Sequence, residues 1–422
     1  MPQWVVYSDP MSEAYDVIAI GGGAAGMMAA GRAAERGRRV LLLERNARLG
    51  EKLRISGGGR CNITNAQQDT KRLLAQYGEA EQFLYSAFSQ FGMANTFSFF
   101  ESRGLPLMVE TGERAFPQSE KASDVVSVLE TYIKDRRVTV ATRSAVDEVM
   151  IDGARISGIR SGHQVYTASS YIFATGGLSH PETGSTGDGF RWLRELGHAV
   201  EKPTPTIVPL RVSETWVREL SGTSVPDVRI SFYVNGTKRI SSTGVLLFTH
   251  FGISGPTVLN LAGRIADLLH EGTVDARVDL FPGTDVGILD RLITEVFDKN
   301  KNRTLRNTFK NVAPKGTADV LLSLLPTIDT EKKVHSVLRE ERRALVDLLK
   351  SLRLSVTGLM GFDRAVVADG GLVLDEVDMR TMRSKKIENL FVTGDLLHIR
   401  RPSGGYSLQL CWTTGFVAGN SA

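Results

Sequence analysis

The sequence predicts an α/β fold in which a nucleotide-binding sheet is interrupted by a long insertion, and three observations predict it. A G-x-G-x-x-G turn, Gly21, Gly23 and Gly26, joins an apolar run to an alanine-rich segment. Two further glycine-rich turns, ATGG at 174–177 and TGD at 393–395, end later apolar runs. Around Pro203, Pro205 and Pro209 the composition shifts, and short alternating runs and helical periods follow. With 422 residues the chain exceeds one simple core. It divides into residues 1–200 as the first part of the nucleotide domain, 201–350 as the insertion and 351–422 as the remainder.

Taken in order, residues 1–14 read as a loose extension before the first strand. Residues 16–44 read as strand, turn, helix and strand, with apolar runs Val17 to Ile20 and Val40 to Leu43. Gly21 permits the tight turn, Gly23 lets the backbone approach a pyrophosphate, and Gly26 lets helix and strand pack closely. Glu44 falls 18 residues after Gly26, where a carboxylate can accept hydrogen bonds from both ribose hydroxyls. An acid there disfavours a 2′-phosphate, so FAD or NAD fits better than NADP. The stretch after Glu44, RNARLGEKLRISGGGRCNITN, is expected as a loop, since Gly57, Gly58 and Gly59 break any regular element. Apolar spacing from Leu73 to Arg103 predicts helices, whose aromatic stripe is core.

Strands are expected within Arg137 to Ile159, at the sheet edge, and from Tyr171 to Ala174. A helix spans Arg191 to Leu196. In the insertion, ISFYVNGTKRISST predicts a hairpin, with Asn235-Gly236 supplying a type I′ turn. Helices follow over Gly287 to Phe297, Ala318 to Leu325 and Lys332 to Leu352. The nucleotide domain resumes at Ala365 to Leu374, continues with the strand Leu390 to Thr393 and ends in a helix from about Tyr406.

Composition narrows the function classes. A 42% hydrophobic and 23% charged chain is typical of soluble globular proteins. The net charge of +4 and pI near 9.0 reflect a mild, spread excess that does not argue for nucleic acid. Two cysteines, Cys61 and Cys411, form no C-x-x-C pair, which excludes a sequence-local redox disulfide or an iron–sulfur cluster. No metal-ligand spacing is present. The start lacks a basic, apolar leader pattern, and no apolar run reaches membrane-span length, so a cytoplasmic protein without a membrane partner is expected.

The three glycine-rich strand ends have to be explained together. An NAD domain needs only the first, whereas an FAD extended across a parallel sheet uses all of them. Its adenosine end would sit at Gly21 to Gly26, and its ribityl end near Asp395, an acid able to hold a ribityl hydroxyl. Gly404 and Gly405 then start the last helix, whose N-terminal dipole would stabilise negative charge on a reduced flavin.

The chain resembles the bacterial BaiN/YhiN-like family of NAD(P)/FAD-dependent oxidoreductases, which includes bile-acid 3-oxo-steroid reductases and an aminoacetone oxidase. The resemblance rests on GGGAAG (21–26), LGEKLRISGGGRCNITN (49–65), ATGGLSHPETGSTGDGF (174–190), LLFTHFGISGPTVL (246–259), VVADGGLVL (366–374), TMRSKKIENLFVTGD (381–395) and SGGYSLQLCWTTGFVAG (403–419). It implies a two-dinucleotide-binding-type, Rossmann-like FAD domain with an inserted β-barrel plus helical domain. It also implies a cofactor site that includes Gly21, Gly23, Ala24, Ala25, Gly26 and Glu44 at the adenosine end, with the Val146 backbone near adenine. Lys52, Leu53, Arg60 and Asn62 are placed along the second loop, Thr175 and Gly176 at the middle strand end, and Asp395, Gly404, Gly405 and Leu408 at the flavin end. One segment departs from the family pattern. Where relatives carry acidic residues before TGGYN, this chain has His398, Ile399, Arg400, Arg401 and Pro402 before SGGYS, which exchanges negative charge for positive.

Catalytic candidates are therefore His398, Arg400 and Tyr406, with Arg401, the loop from His180 to Thr186, and His250 as outer possibilities. His398 reads either as a proton donor or acceptor beside flavin N5 or as a surface residue capping a turn. Arg400 and Arg401 read either as a site for an anionic substrate or for a nicotinamide dinucleotide's phosphates, or as a solvated pair. Cys61 reads as a buried inert thiol. No second G-x-G-x-x-G follows a strand, so NAD(P)H would act as a transient donor rather than sit in its own domain. The expected activity is FAD-dependent hydride transfer to or from a small organic molecule with a C=C or C=O next to an activating group. An amine oxidase making peroxide, or an FAD-containing RNA-associated protein, are the alternatives. The oligomeric state is open.

Overall fold

Parallel strands buried on both faces must be apolar throughout, and that is how the nucleotide domain is built. The computed structural model describes residues 15–422, so the expected N-terminal extension lies outside the described residues. Strand β1 (Tyr15–Ile20) is flanked by β2 (Val40–Leu43) and β4 (Ala168–Phe173), with β3 (Thr139–Ala141) beyond β2 and β5 (Leu390–Val392) beyond β4. All are parallel, in the order β5-β4-β1-β2-β3. Val17, Ile18, Ala19, Leu42, Ile172, Phe173 and Val392 are fully buried. All the C-terminal strand ends face one way, which opens a crevice at that edge.

Two helices meet over this sheet, α1 (Ala24–Glu35) and α2 (Tyr406–Ser421). Their backbones touch: a Cβ at Gly415 would stand 2.5 Å from the Ala25 carbonyl oxygen, and one at Gly419 would stand 2.2 Å from that of Ala29. The pairing of Gly415 and Gly419 with Ala25 and Ala29 fixes how the last helix lies on the first. The unit containing these elements runs up to Pro205 and resumes at Val366. It also carries a three-stranded antiparallel sheet (Glu148–Asp152, Arg155–Ser161, Gln164–Tyr166), so of the strands expected between 137 and 159 only β3 joins the parallel sheet.

The second unit, Thr206–Ala365, is a closed six-stranded barrel with helices. Around the barrel the strands run Leu210–Val212, Gly252–Ser254, Thr237–Thr249, Ser224–Val234, Val274–Asp279 and Leu352–Leu359. Val228, Ile230, Phe232 and Val234 alternate into its core, the period expected of a strand with one buried face. The hairpin turns at Asn235 and Gly236, both with positive φ (48° and 83°), as the Asn-Gly pair predicts.

Two elements differ from expectation. Helix Arg339–Lys350 starts later than Lys332 because the Glu341 carboxylate accepts the Leu338 N–H (2.8 Å) and binds Lys332 Nζ (2.5 Å), closing the helix start at that point. Within the expected loop, Glu51–Ile55 forms a short helix, and the chain turns only at Gly57 and Gly58, whose φ values are 57° and 69°.

Candidate active site

At the end of β1, three glycines do different mechanical work. Gly21 adopts φ 103°, and a Cβ there would stand 2.5 Å from the Ala174 carbonyl oxygen. A Cβ at Gly26 would stand 1.8 Å from the Gly21 carbonyl oxygen, so helix and turn touch through backbone. A Cβ at Gly23 would meet nothing within 4 Å. Gly23 is the N-cap of α1 and has no side chain to cap it, so the first N–H groups of the helix, at Ala24 and the buried Ala25, receive no side-chain cap. Glu44, buried at the tip of β2, accepts the Gly22 N–H on Oε2 and the Asn46 N–H on Oε1, both at 2.7 Å. Burial pushes this carboxyl above the ordinary glutamate range, and the two backbone donors only partly oppose it. Ser144 N–H donates to the Glu44 carbonyl (2.9 Å), which brings half-buried Val146 close by along the chain.

At the far end the site is assembled from three distant segments. Asp395, just after β5, is held by two cations, Lys52 Nζ at 3.4 Å and the Arg401 guanidinium. Burial would push the Asp395 carboxyl up, but Arg401 and then Lys52 hold it below the ordinary range. Lys52 also donates to the Ser179 hydroxyl (3.2 Å). Gly176 is beside them: a Cβ on it would stand 2.7 Å from Ser185 Oγ and 3.5 Å from Lys52 Nζ. Thr175, partly buried, precedes it, and a Cβ at Gly189 would stand 2.3 Å from its hydroxyl. The helix start is locked from the other side. With its amide oriented to satisfy both ends, Asn62 accepts the Gly405 N–H (3.0 Å) and donates to the Ala115 and Thr64 carbonyls. Asn65 Nδ2 donates to the Gly404 carbonyl (3.2 Å). Gly405 has φ 101° and packs so closely that a Cβ would stand 2.2 Å from the Thr64 carbonyl carbon.

Several candidate residues therefore have definite places. His398 is half-buried, its N–H on the Leu372 carbonyl (2.9 Å), and its Nδ1 is buried without a hydrogen-bond partner among the described residues. That is not a solvated turn cap. Tyr406 begins α2 half-buried, and burial with the nearby Glu113 charge raises its phenol above the ordinary value. Arg400 is 71% exposed and 3.7 Å from Asp369. Arg401 is neither solvated nor free for an anionic substrate: 1% exposed, it donates to Ser407 Oγ (3.0 Å) and the Ile399 carbonyl (2.6 Å) besides binding Asp395. Arg60 has its guanidinium on Glu110 and Glu120 and over the Phe116 ring (4.2 Å). Leu53 is 3% exposed and packs in the apolar core, whereas Leu408 only borders that core. Burial pushes the Cys61 and Cys411 thiols up to about 12 each, so both are inert near neutral pH. The His180 to Thr186 loop is tied to the Glu44 side, through Asn46 Nδ2 to the Thr183 carbonyl (2.9 Å) and Arg45 to the Thr186 hydroxyl (2.5 Å). His250 lies in the barrel unit.

Sequence reasoning missed Ser179, although it lies within the 174–190 motif, Asn46, which lies in none, and the Gln409 network. Gln409 Oε1 accepts from Thr64 (2.6 Å) and Thr96 (3.0 Å), which ties α2 to the second loop. A buried glutamine inside SGGYSLQ was the one signal available.

These residues fit an extended dinucleotide. Open space stands at Gly23, unsatisfied helix N–H groups lie beside it, and an unpartnered imidazole nitrogen is buried in the same unit, just beyond Asp395 in sequence. Among the described residues no helix is long and apolar enough to cross a membrane.

Residues 15–421 match the family described as HI0933-like protein Rossmann domain. The chain is 30% identical to the 3-dehydro-bile acid delta(4,6)-reductase of Clostridium scindens over 406 residues, 96% of this chain and 98% of that protein. It is also 30% identical to the ribosomal RNA dihydrouridine synthase of Escherichia coli over 408 residues, 96% of this chain and 97% of that protein. In structure it resembles a 3-ketosteroid-delta4-(5alpha)-dehydrogenase from Rhodococcus jostii, with a TM-score of 0.53 and 15% identity over 98% of this chain and 97% of that one.

Proposed function

The chain belongs to the HI0933-like Rossmann-domain family of FAD-dependent oxidoreductases, and from that premise we propose that it adds hydrogen across a C=C bond conjugated with a carbonyl, drawing the hydride from NAD(P)H. The names of both relatives describe adding hydrogen across such a bond, in a 3-dehydro-bile acid and in a uridine. FAD, held along Gly21 to Gly26, Glu44, Lys52, Asp395 and the start of α2, supplies hydride transfer at N5 when bound.

The chain's own residues account for the proton. Hydride added at the β-carbon leaves negative charge that a proton must quench at the α-carbon. The observation that carries the reading is the buried, unpartnered Nδ1 of His398. An imidazole can hold and deliver that proton. Tyr406, kept neutral by burial and Glu113, can donate its O–H to the substrate carbonyl oxygen. Arg400, mostly exposed, can meet an anionic substituent at the rim. Ion-paired Lys52, Asp395 and Arg401 hold the far end rigid.

Anaerobic mixing tests the reading. NADH or NADPH should bleach the FAD-loaded protein, and a cyclic enone should restore the colour. Bleaching by amines, with none by either nicotinamide, would establish the oxidase instead. His398→Gln should slow enone-dependent recovery by about 10²–10⁴-fold with FAD retention unchanged. Equal recovery rates would remove His398 from the chemistry.

One finding favours a second reading, in which the double bond belongs to a pyrimidine within RNA. A relative equally similar in identity is named for ribosomal RNA. Dihydrouridine formation in an unmodified ribosomal transcript, with NADPH and the FAD-loaded protein, would select it over the small-molecule reading.

A further inference from the structure

The barrel unit carries a cavity of about 450 Å³ that the flavin chemistry does not use, lined by Arg211, Val212, Arg218, His250, Phe251 and Thr357. Its construction is specific. Adjacent residues of a regular strand point to opposite faces. Here the pairing of Leu210–Val212 with Leu352–Leu359 slips between Arg211 and Val212: Arg211 opposes Gly358, Val212 opposes Val356, and Thr357 is left over as the bulge residue. Such a bulge re-aims side chains, and Arg211, Val212 and Thr357 accordingly line one cavity.

Arg211 also has glycine on both flanks, Gly358 on one strand and Gly252 on the other. Cross-strand neighbours share a face, so the floor beside Arg211 is bare backbone. A Cβ at Gly252 would stand 2.1 Å from the Leu210 carbonyl oxygen, whereas one at Gly358 would meet nothing within 4 Å, so at Gly358 the space is open. Arg211 Nε is steadied on Met360 Sδ (3.1 Å). Neither Arg211 nor Arg218 is paired with a carboxylate among the described residues. The nearby acid Glu214 is occupied, its carboxylate accepting the Ser355 N–H at 2.9 and 3.0 Å. The Val212 N–H donates to the Phe251 carbonyl (3.4 Å), and the Phe251 ring lies edge-on to His250 at 4.7 Å.

Two guanidinium forks without a carboxylate ion pair among the described residues, a hydroxyl and two flat rings are complementary to a phosphate ester that carries a flat ring. We propose that this cavity is a binding site for a nucleotide phosphate, separate in its residues from the dinucleotide site. The arginines take the phosphate, with the Thr357 hydroxyl beside them, and Phe251 and His250 take the base. The ligand comes either as free nucleotide or as one unit of a strand.

The test uses the full chain loaded with FAD, so that the dinucleotide site is filled, and isothermal titration with uridine monophosphate, uridine, inorganic phosphate and pentauridylate. Uridine monophosphate should bind about tenfold or more tightly than uridine or phosphate alone. Arg211→Gln with Arg218→Gln should weaken it about tenfold with FAD content unchanged. Phe251→Leu should weaken the nucleotide but not inorganic phosphate. If the glutamine pair fails to fold, Arg211→Lys with Arg218→Lys keeps the charge, loses the fork and should still weaken binding. Pentauridylate binding well above the mononucleotide identifies a strand as the source, and equal binding identifies the free nucleotide. Absence of nucleotide binding, binding unchanged in the arginine variants, or phosphate bound as tightly as nucleotide overturns the proposal.

Discussion

The two ends of the proposed nucleotide site each hold one carboxylate away from solvent, and they keep it in opposite ways. Glu44 is held chiefly by the backbone N–H groups of Gly22 and Asn46, and burial pushes its carboxyl up against them, the Asn46 side chain and the Arg45 charge. Asp395 is half-buried, but Arg401 and Lys52 outweigh the effect of burial and hold its carboxyl down. An acid held chiefly by backbone N–H groups keeps its donors whatever the side chains are, whereas an acid held by side-chain cations depends on what those side chains are. Lys52 reaches Asp395 across 343 positions. The Glu44 end is therefore a rigid local device, and the Asp395 end is a charge balance that substitution can tip.

The largest expected effect tips that balance. Arg401→Met leaves the Asp395 carboxylate buried with only Lys52 at 3.4 Å, and breaking such a buried pair should cost about 3 kcal/mol. The pH dependence has a definite sign. Because the folded-state value of Asp395 lies below its ordinary 3.8, its contribution is complete above that pH and is lost as pH falls through the folded value. In Arg401→Met burial is less opposed, so the folded value rises and the loss of stability on acidification should shrink. Glu44 works the other way: its folded value is raised, so its ionised form costs stability at neutral pH and the cost fades on acidification. Thermal unfolding between pH 3 and pH 7 checks this, and identical profiles for variant and parent would show that Arg401 does not set the charge of Asp395.

The same contrast explains what could be read in advance. The first strand, turn, helix and second strand were legible because each step lies within residues 16–44 and each glycine has a local task. The barrel was legible through family resemblance, and its hairpin through Asn235-Gly236. Arg401 was not: an RRP run before a glycine turn looks solvated, and only the fold reveals that Asp395, Ile399 and Ser407 surround its guanidinium. The partners of Arg60, Glu110 and Glu120, lie 50 and 60 positions away, beyond any local pattern. The late start of the helix at Arg339 depended on one carboxylate turning back to cap it, a competition that apolar periodicity does not register.

Smaller effects separate the parts of the Glu44 end. Gly26→Ala places a Cβ 1.8 Å from the Gly21 carbonyl oxygen, so backbone must move, at a cost of about 1–3 kcal/mol. It should lower both the unfolding temperature and FAD retention. Gly23→Ala is the sharper instrument because its Cβ meets no protein atom within 4 Å. Its unfolding temperature without FAD should match the parent's, while FAD affinity, followed by quenching of flavin fluorescence, should fall, because the methyl group occupies the space a pyrophosphate needs. Unchanged affinity in Gly23→Ala would move the phosphates away from this turn. Lost stability there would mean that the open space belongs to the fold itself, and the Glu44 end would then be no more independent of its surroundings than the Asp395 end.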